Sequence, residues 1–182
     1  CEIHSMSMEF FAHPWMESFF KEDTEKYIYS HIAGALTFIP YGILVDHFQH
    51  EVYANPDMTP QQRKETFRRL EKMYIPERDY EGFPILEEGG FFYKQGHIFA
   101  SPFYYIDYTL AQVCALQFFT RMLEQDETTW NDYIELCKLG GTKPFLQLLE
   151  SSHLKSPFTD GCLKNIVSNM RNELNKIDDT KL

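Results

Sequence analysis

An all-α fold is the class this sequence predicts, and three observations carry it. Apolar residues recur at helical spacing in nearly every segment, and no series of alternating, strand-like residues accompanies them. The 182 residues include 43% hydrophobic and 16% aromatic side chains, enough for one packed core and too many for a disordered chain. Punctuation residues then set the elements. A first helix covers Glu2 to about Ala12, and Pro14 disturbs or restarts it ahead of Trp15, Phe19 and Phe20. Asp23 or Thr24 can cap a long helix whose apolar positions run from Tyr27 through Ile32, Ile39 and Leu44 to Phe48, kinked rather than ended at Pro40. Asn55-Pro56-Asp57 makes a turn. Thr59-Pro60, a cap followed by proline at the first helical position, starts a helix through about Met73. Between 76 and 101, Pro76, Gly82, Pro84, Gly89, Gly90 and Gly96 break the pattern and predict one long irregular loop or a small hairpin. Pro102 suits the first turn of a helix through about Gln125, and further helices are expected near Glu127 to Leu139, Lys143 to Ser152 and Asp160 to Ile177. The polar tail Asp178 to Leu182 is expected to fray. With no internal repeat and no obvious boundary, 1–182 reads as a single helical domain.

Charge and cysteine usage exclude several function classes. A formal net charge of -10 repels nucleic acid and anionic lipid, so neither is expected as a partner, and no apolar run is read as approaching membrane-spanning length. The basic cluster Arg63 to Lys72 is interleaved with Glu65 and Glu71 and reads as a solvated helix face. Cys1, Cys114, Cys137 and Cys162 lie far apart with no C-x-x-C pair. They are expected to be free thiols in a reducing compartment, the cytoplasm.

Three constellations could carry chemistry. Glu2 and Glu9 are seven apart and fall on nearly one helix face, beside apolar Ile3, Met6, Phe10 and Phe11. A carboxylate ligand suits zinc beside two imidazoles, and a second carboxylate can orient a ligand histidine, although such spacing is also common on solvated helices. His97, Tyr105 and Tyr108 form the second group. Tyr105 and Tyr108 are three apart on one helix face, and a phenol donates a hydrogen bond to a developing negative charge without being charged itself. The competing reading makes these aromatics core packing and His97 a loop histidine. The third group, Asp46-His47-Phe48-Gln49-His50-Glu51, could bind a cation on one helix face, but it is not H-E-x-x-H and a solvated helix end explains it better. His13, His31 and His153 stand alone and read as structural.

The stretch Glu2-Ile3-His4-Ser5-Met6-Ser7-Met8-Glu9-Phe10-Phe11 resembles the segment after H-E-x-x-H in the oligoendopeptidase F and thimet oligopeptidase family of zinc metallopeptidases. Gly96-His97-Ile98-Phe99-Ala100-Ser101-Pro102-Phe103-Tyr104-Tyr105-Ile106-Asp107-Tyr108 is similar to that family's histidine-then-tyrosines segment. The resemblance implies that Glu2 is the third protein ligand of one zinc ion and that Glu9 has a supporting role. It implies that His97, Tyr105 and Tyr108 hydrogen-bond to the scissile carbonyl as it becomes an oxyanion. The family often has glycines where this loop has Phe99, Ala100, Ser101 and Pro102, and the register also admits Tyr104 in place of Tyr105. The implied architecture is the multi-helix C-terminal portion of a zincin-like helical clamshell, whose channel admits short unstructured oligopeptides and could be lined by the surplus aromatics. The two histidine ligands and the general-base glutamate would lie upstream of Cys1, in the N-terminal remainder of the same polypeptide. On this reading the full-length parent is a zinc metalloendopeptidase, and the 182-residue piece alone is inactive. A non-catalytic helical scaffold or peptide-binding domain is the reading that competes.

Overall fold

The structure, a computed structural model, describes residues 1–178 and 180, so positions 179, 181 and 182 of the tail lie outside the described residues. In chain order the helices are α1 (Glu2–Phe11), α2 (Glu17–Phe20), α3 (Thr24–Ala54), α4 (Pro60–Tyr74), α5 (Pro84–Glu87), α6 (Gly96–Ala100), α7 (Tyr105–Leu123), α8 (Thr129–Leu139), α9 (Phe145–Ser151) and α10 (Cys162–Leu174). Tighter 3-10 turns cover His13–Trp15, Lys21–Asp23 and Gly90–Lys94. No strand occurs among the described residues, and the all-α class stands.

The chain divides into two compact units, Cys1–Leu36 with Leu110–Leu182, and Thr37–Thr109. In the first, Ile3 and Phe11 of α1 pack with Cys114 and Phe118 of α7 and with Tyr133 and Leu136 of α8. Phe10 stacks on Phe119 with ring centroids 4.6 Å apart. The Tyr133 hydroxyl donates to the His4 carbonyl at 3.1 Å, tying α8 to α1. In the second unit, Leu44 and Phe48 of α3 meet Phe67 and Leu70 of α4, with Ile75 and Phe92 closing the cluster. Phe10, Phe48, Phe67 and Phe118 are fully buried. Each such ring contributes about 1.5–3 kcal/mol relative to exposure, so much of the aromatic surplus builds these cores.

Capping explains the bounds that match expectation. Thr59 accepts from the Gln62 amide while the Gln62 side chain accepts from the Thr59 amide, a reciprocal capping box that starts α4 at Pro60. α3 passes through Pro40 without interruption. Its Thr24 hydroxyl donates back to the Lys21 carbonyl at 2.6 Å.

Four expectations are corrected. Pro102 does not begin a helix: it sits in a turn whose Phe103 takes a left-handed φ of 62°, and α7 starts at Tyr105. Residues 76–101 hold no hairpin but α5, a 3-10 turn and α6. Gly89 is indispensable there: at φ +99°, a Cβ would stand 2.0 Å from the Lys64 carbonyl of α4. The Arg63 to Lys72 cluster is not merely solvated, because Glu71 is fully buried and is held by Arg68 at 2.8 Å, Arg78 at 3.4 Å and the Tyr80 hydroxyl at 2.5 Å. A buried carboxylate demands such partners. Finally, the helical run His13–Ala54 is long and apolar enough to cross a membrane by length and composition, with a window of mean hydropathy 1.5. Core helices pass the same test. Ile32 and Ala35, and separately Leu44, Val45 and Phe48, are buried in the packing of the two units.

Candidate active site

Within the second unit, His97 and the tyrosines of α7 come together because of the corrected turn. His97 lies on α6, the chain reverses over residues 101–104, and α7 begins at Tyr105. The Ser101 amide donates to the His97 carbonyl at 2.9 Å, and the Tyr104 amide to the Ser101 carbonyl at 3.2 Å, which closes the reversal. The result sets His97 Nε2 3.3 Å from the Tyr108 hydroxyl. The His97 ring lies 5.5 Å from that of Tyr108, 5.3 Å from Tyr105 and 6.4 Å from Tyr104, the last nearly parallel at 11°.

The two tyrosines that the sequence left as alternatives differ in exposure. Tyr105 is 8% exposed and packs on Phe38 and Tyr41, and burial followed by the nearby Tyr108 pushes its phenol pKa up. Tyr104 is 41% exposed, with its ring 5.2 Å from Tyr108 and perpendicular to it. His97 and Tyr108 are half-buried. Phenol hydroxyls and a ring N–H brought together in this way can donate to an oxygen that gains negative charge.

The glutamates belong to the first unit. Glu2, at the start of α1, has a side chain 28% exposed and lies 3.6 Å from the Cys1 amino nitrogen. Glu9 is 58% exposed, and its Oε2 is 3.1 Å from His31 Nε2. His31 does not stand alone, for its Nδ1 lies 2.8 Å from His13 Nε2. Phe10 and Tyr27 stack on His31, and Phe119 meets His13 edge-on. Burial, then the neighbouring His31, lowers the His13 pKa to about 4. Burial also lowers that of His31 against the opposing pull of Glu9. The sequence missed this string because 18 residues separate the two histidines. His153 is likewise partnered, with Asp132 at 3.0 Å.

The side chains of the rival cation face are paired with one another and with α4. His47 meets Glu51 at 3.3 Å and the Tyr74 hydroxyl at 2.9 Å, His50 meets Asp46 at 3.4 Å, and Glu51 also binds Arg69. Among the described residues no three His, Cys, Asp or Glu side chains are grouped to hold a metal ion. Cys1, Cys114, Cys137 and Cys162 are free thiols, and burial pushes the pKa of Cys114 up to about 12.

Residues 1–168 match the family model described as peptidase family M3. The chain is similar to a solved oligoendopeptidase F, with 55% identity and a TM-score of 0.95 over 100% of this chain and 32% of that one. PZ peptidase A, solved with an inhibitor, is 54% identical with a TM-score of 0.94, over 98% and 32% of the two chains. An oligoendopeptidase F from Bacillus anthracis str. Ames is 49% identical with a TM-score of 0.82, over 100% and 29%. This chain thus spans 29–32% of the length of these three structures. Comparison with curated proteins gives no match.

Proposed function

The chain belongs to peptidase family M3, and from that premise we propose that it is part of a longer polypeptide that hydrolyses peptide bonds in short unstructured oligopeptides with the help of one zinc ion. The observation that carries the reading is the convergence of His97 with Tyr108, Tyr104 and Tyr105. These groups suit the stabilisation of a scissile carbonyl oxygen as it becomes an oxyanion. His97 and Tyr108 are assigned as donors. Tyr105, behind them, orients Tyr108, and its exposure makes Tyr104 the third phenol able to reach a substrate.

Glu2 is a chemically suitable zinc ligand, a partly exposed carboxylate at a helix start. It is a single donor, so the other ligands and the general base are assigned to the rest of the polypeptide, and the 182-residue piece alone is proposed to bind no stoichiometric zinc. A bound zinc ion would polarise the carbonyl and lower the pKa of water. This chain's own residues hold the substrate oxygen through His97 and Tyr108. Glu9 keeps the His31 ring fixed one face-repeat along α1 from Glu2. Four cysteines far apart in the sequence, with no C-x-x-C pair, support a reducing, cytoplasmic setting.

Cleavage of short fluorogenic peptides by the full-length polypeptide tests this reading. Activity should disappear on chelation and return with zinc, and the isolated 182 residues should be inactive. Cleavage that survives chelation, or that the isolated piece performs, contradicts the proposal. A full-length polypeptide that cleaves no peptide favours the scaffold reading.

A further inference from the structure

The His97 ring is held from both sides. Opposite Tyr108, Gln95 Nε2 lies 2.9 Å from His97 Nδ1, and Gln95 Oε1 accepts from the Tyr41 hydroxyl at 3.0 Å. The four groups form one string, Tyr41 to Gln95 to His97 to Tyr108, all on the second unit.

The string has a direction. An amide oxygen only accepts and an amide NH2 only donates. Tyr41 holds its proton: burial, and then proximity to Tyr105, outweigh the Arg78 cation and push its pKa up to about 12. Its hydroxyl therefore has a proton to give and takes Gln95 Oε1 as acceptor. A reversed amide would set NH2 against that hydroxyl and leave a half-buried O–H to find another acceptor, which costs free energy. With Oε1 committed to Tyr41, the group facing His97 Nδ1 is the NH2 donor, so Nδ1 must carry the lone pair. A neutral imidazole with its lone pair on Nδ1 has its proton on Nε2.

We propose that Gln95 and Tyr41 are positioning residues that fix His97 as the Nε2–H tautomer, so that the ring presents a hydrogen-bond donor on the tyrosine side. The role in turnover rests on the peptidase reading above, where a substrate oxygen would compete with Tyr108 for that N–H. The tautomer itself does not rest on it. Nothing in the motif marks Gln95, two residues before His97 and 54 after Tyr41.

Nitrogen-15 NMR of the full-length polypeptide labelled at histidine, with His97 assigned by comparison with His97→Gln, reads the tautomer directly. At pH 8 the wild type should show a protonated Nε2 and an unprotonated Nδ1. Gln95→Glu supplies an acceptor in place of the donor and should move the proton to Nδ1. In the same variant kcat should fall by about 10²-fold, the loss typical of one oxyanion donor, with KM changed less than twofold. Gln95→Met keeps the bulk without the amide and should give a mixture of tautomers, which guards against a Gln95→Glu protein that fails to fold. A wild-type proton on Nδ1, or a Gln95→Met spectrum still wholly Nε2-protonated, overturns the proposal. A full-length polypeptide without peptidase activity would sink the functional reading and leave the tautomer to be judged by the spectra alone.

Discussion

Single atoms decide several features of this chain, none more sharply than at Gly42. A Cβ there would stand 1.7 Å from the Thr109 hydroxyl and 3.1 Å from its Cβ, so α3 and the start of α7 approach at a point only glycine permits. Gly42→Ala should destabilise by about 1–3 kcal/mol, the range for overpacking, read as a lower urea midpoint. Thr109→Ala removes the clashing oxygen and should recover most of that loss. A Gly42→Ala protein as stable as wild type would contradict the packing. His13 offers a second residue-scale test. Its folded pKa of about 4 lies below the ordinary 6.5, so between those values the unfolded chain binds a proton that the folded chain refuses. Stability should therefore fall as pH drops from 6.5 to 4. Replacing His13 by Gln should flatten that part of a melting-temperature profile, and an unflattened profile would refute the assignment. The sequence could not announce this pair, since the contact between His13 and His31 depends on how α3 packs on the turn after α1.

At the scale of the element, local signals were readable and tertiary ones were not. The Thr59-Pro60 start of α4 was legible because its cap and its proline both act within one turn. The start of α7 was not, because a left-handed Phe103 is set by the reversal that brings α7 to α6, and no rule of residue type favours phenylalanine there. Likewise the charges on α4 follow a solvated pattern in sequence, whereas Glu71 turns inward to Arg68, Arg78 and Tyr80. Glu71→Gln leaves two guanidinium groups without their buried counter-charge and should cost roughly 3–5 kcal/mol. Urea unfolding checks this, and a loss below about 1 kcal/mol would mean that the network is incidental.

For the whole molecule, family membership was legible from two short motifs, one in each compact unit, and the all-helical architecture from apolar spacing along the chain. The motifs named Glu2, His97 and the tyrosines. They could not name Gln95 or Tyr41, whose contact with the site depends on α3 lying beside the segment before α6 within the second unit. They also could not separate Tyr104 from Tyr105, because that distinction is one of burial. Tyr104→Phe should lower kcat more than Tyr105→Phe if the exposed phenol meets the substrate, while Tyr105→Phe should act mainly on stability. Equal effects on kcat would return the question to its sequence-level form. On the function proposed above, Glu2 holds the metal while His97 and Tyr108 hold the substrate oxygen. The most direct test is to measure zinc content and turnover together in the full-length polypeptide carrying either Glu2→Gln or Tyr108→Phe. Glu2→Gln should lose most bound zinc and with it activity, whereas Tyr108→Phe should keep its zinc and lose about 10²-fold in kcat. Undiminished zinc affinity in Glu2→Gln, or a Tyr108→Phe protein that loses zinc in step with turnover, would contradict that division.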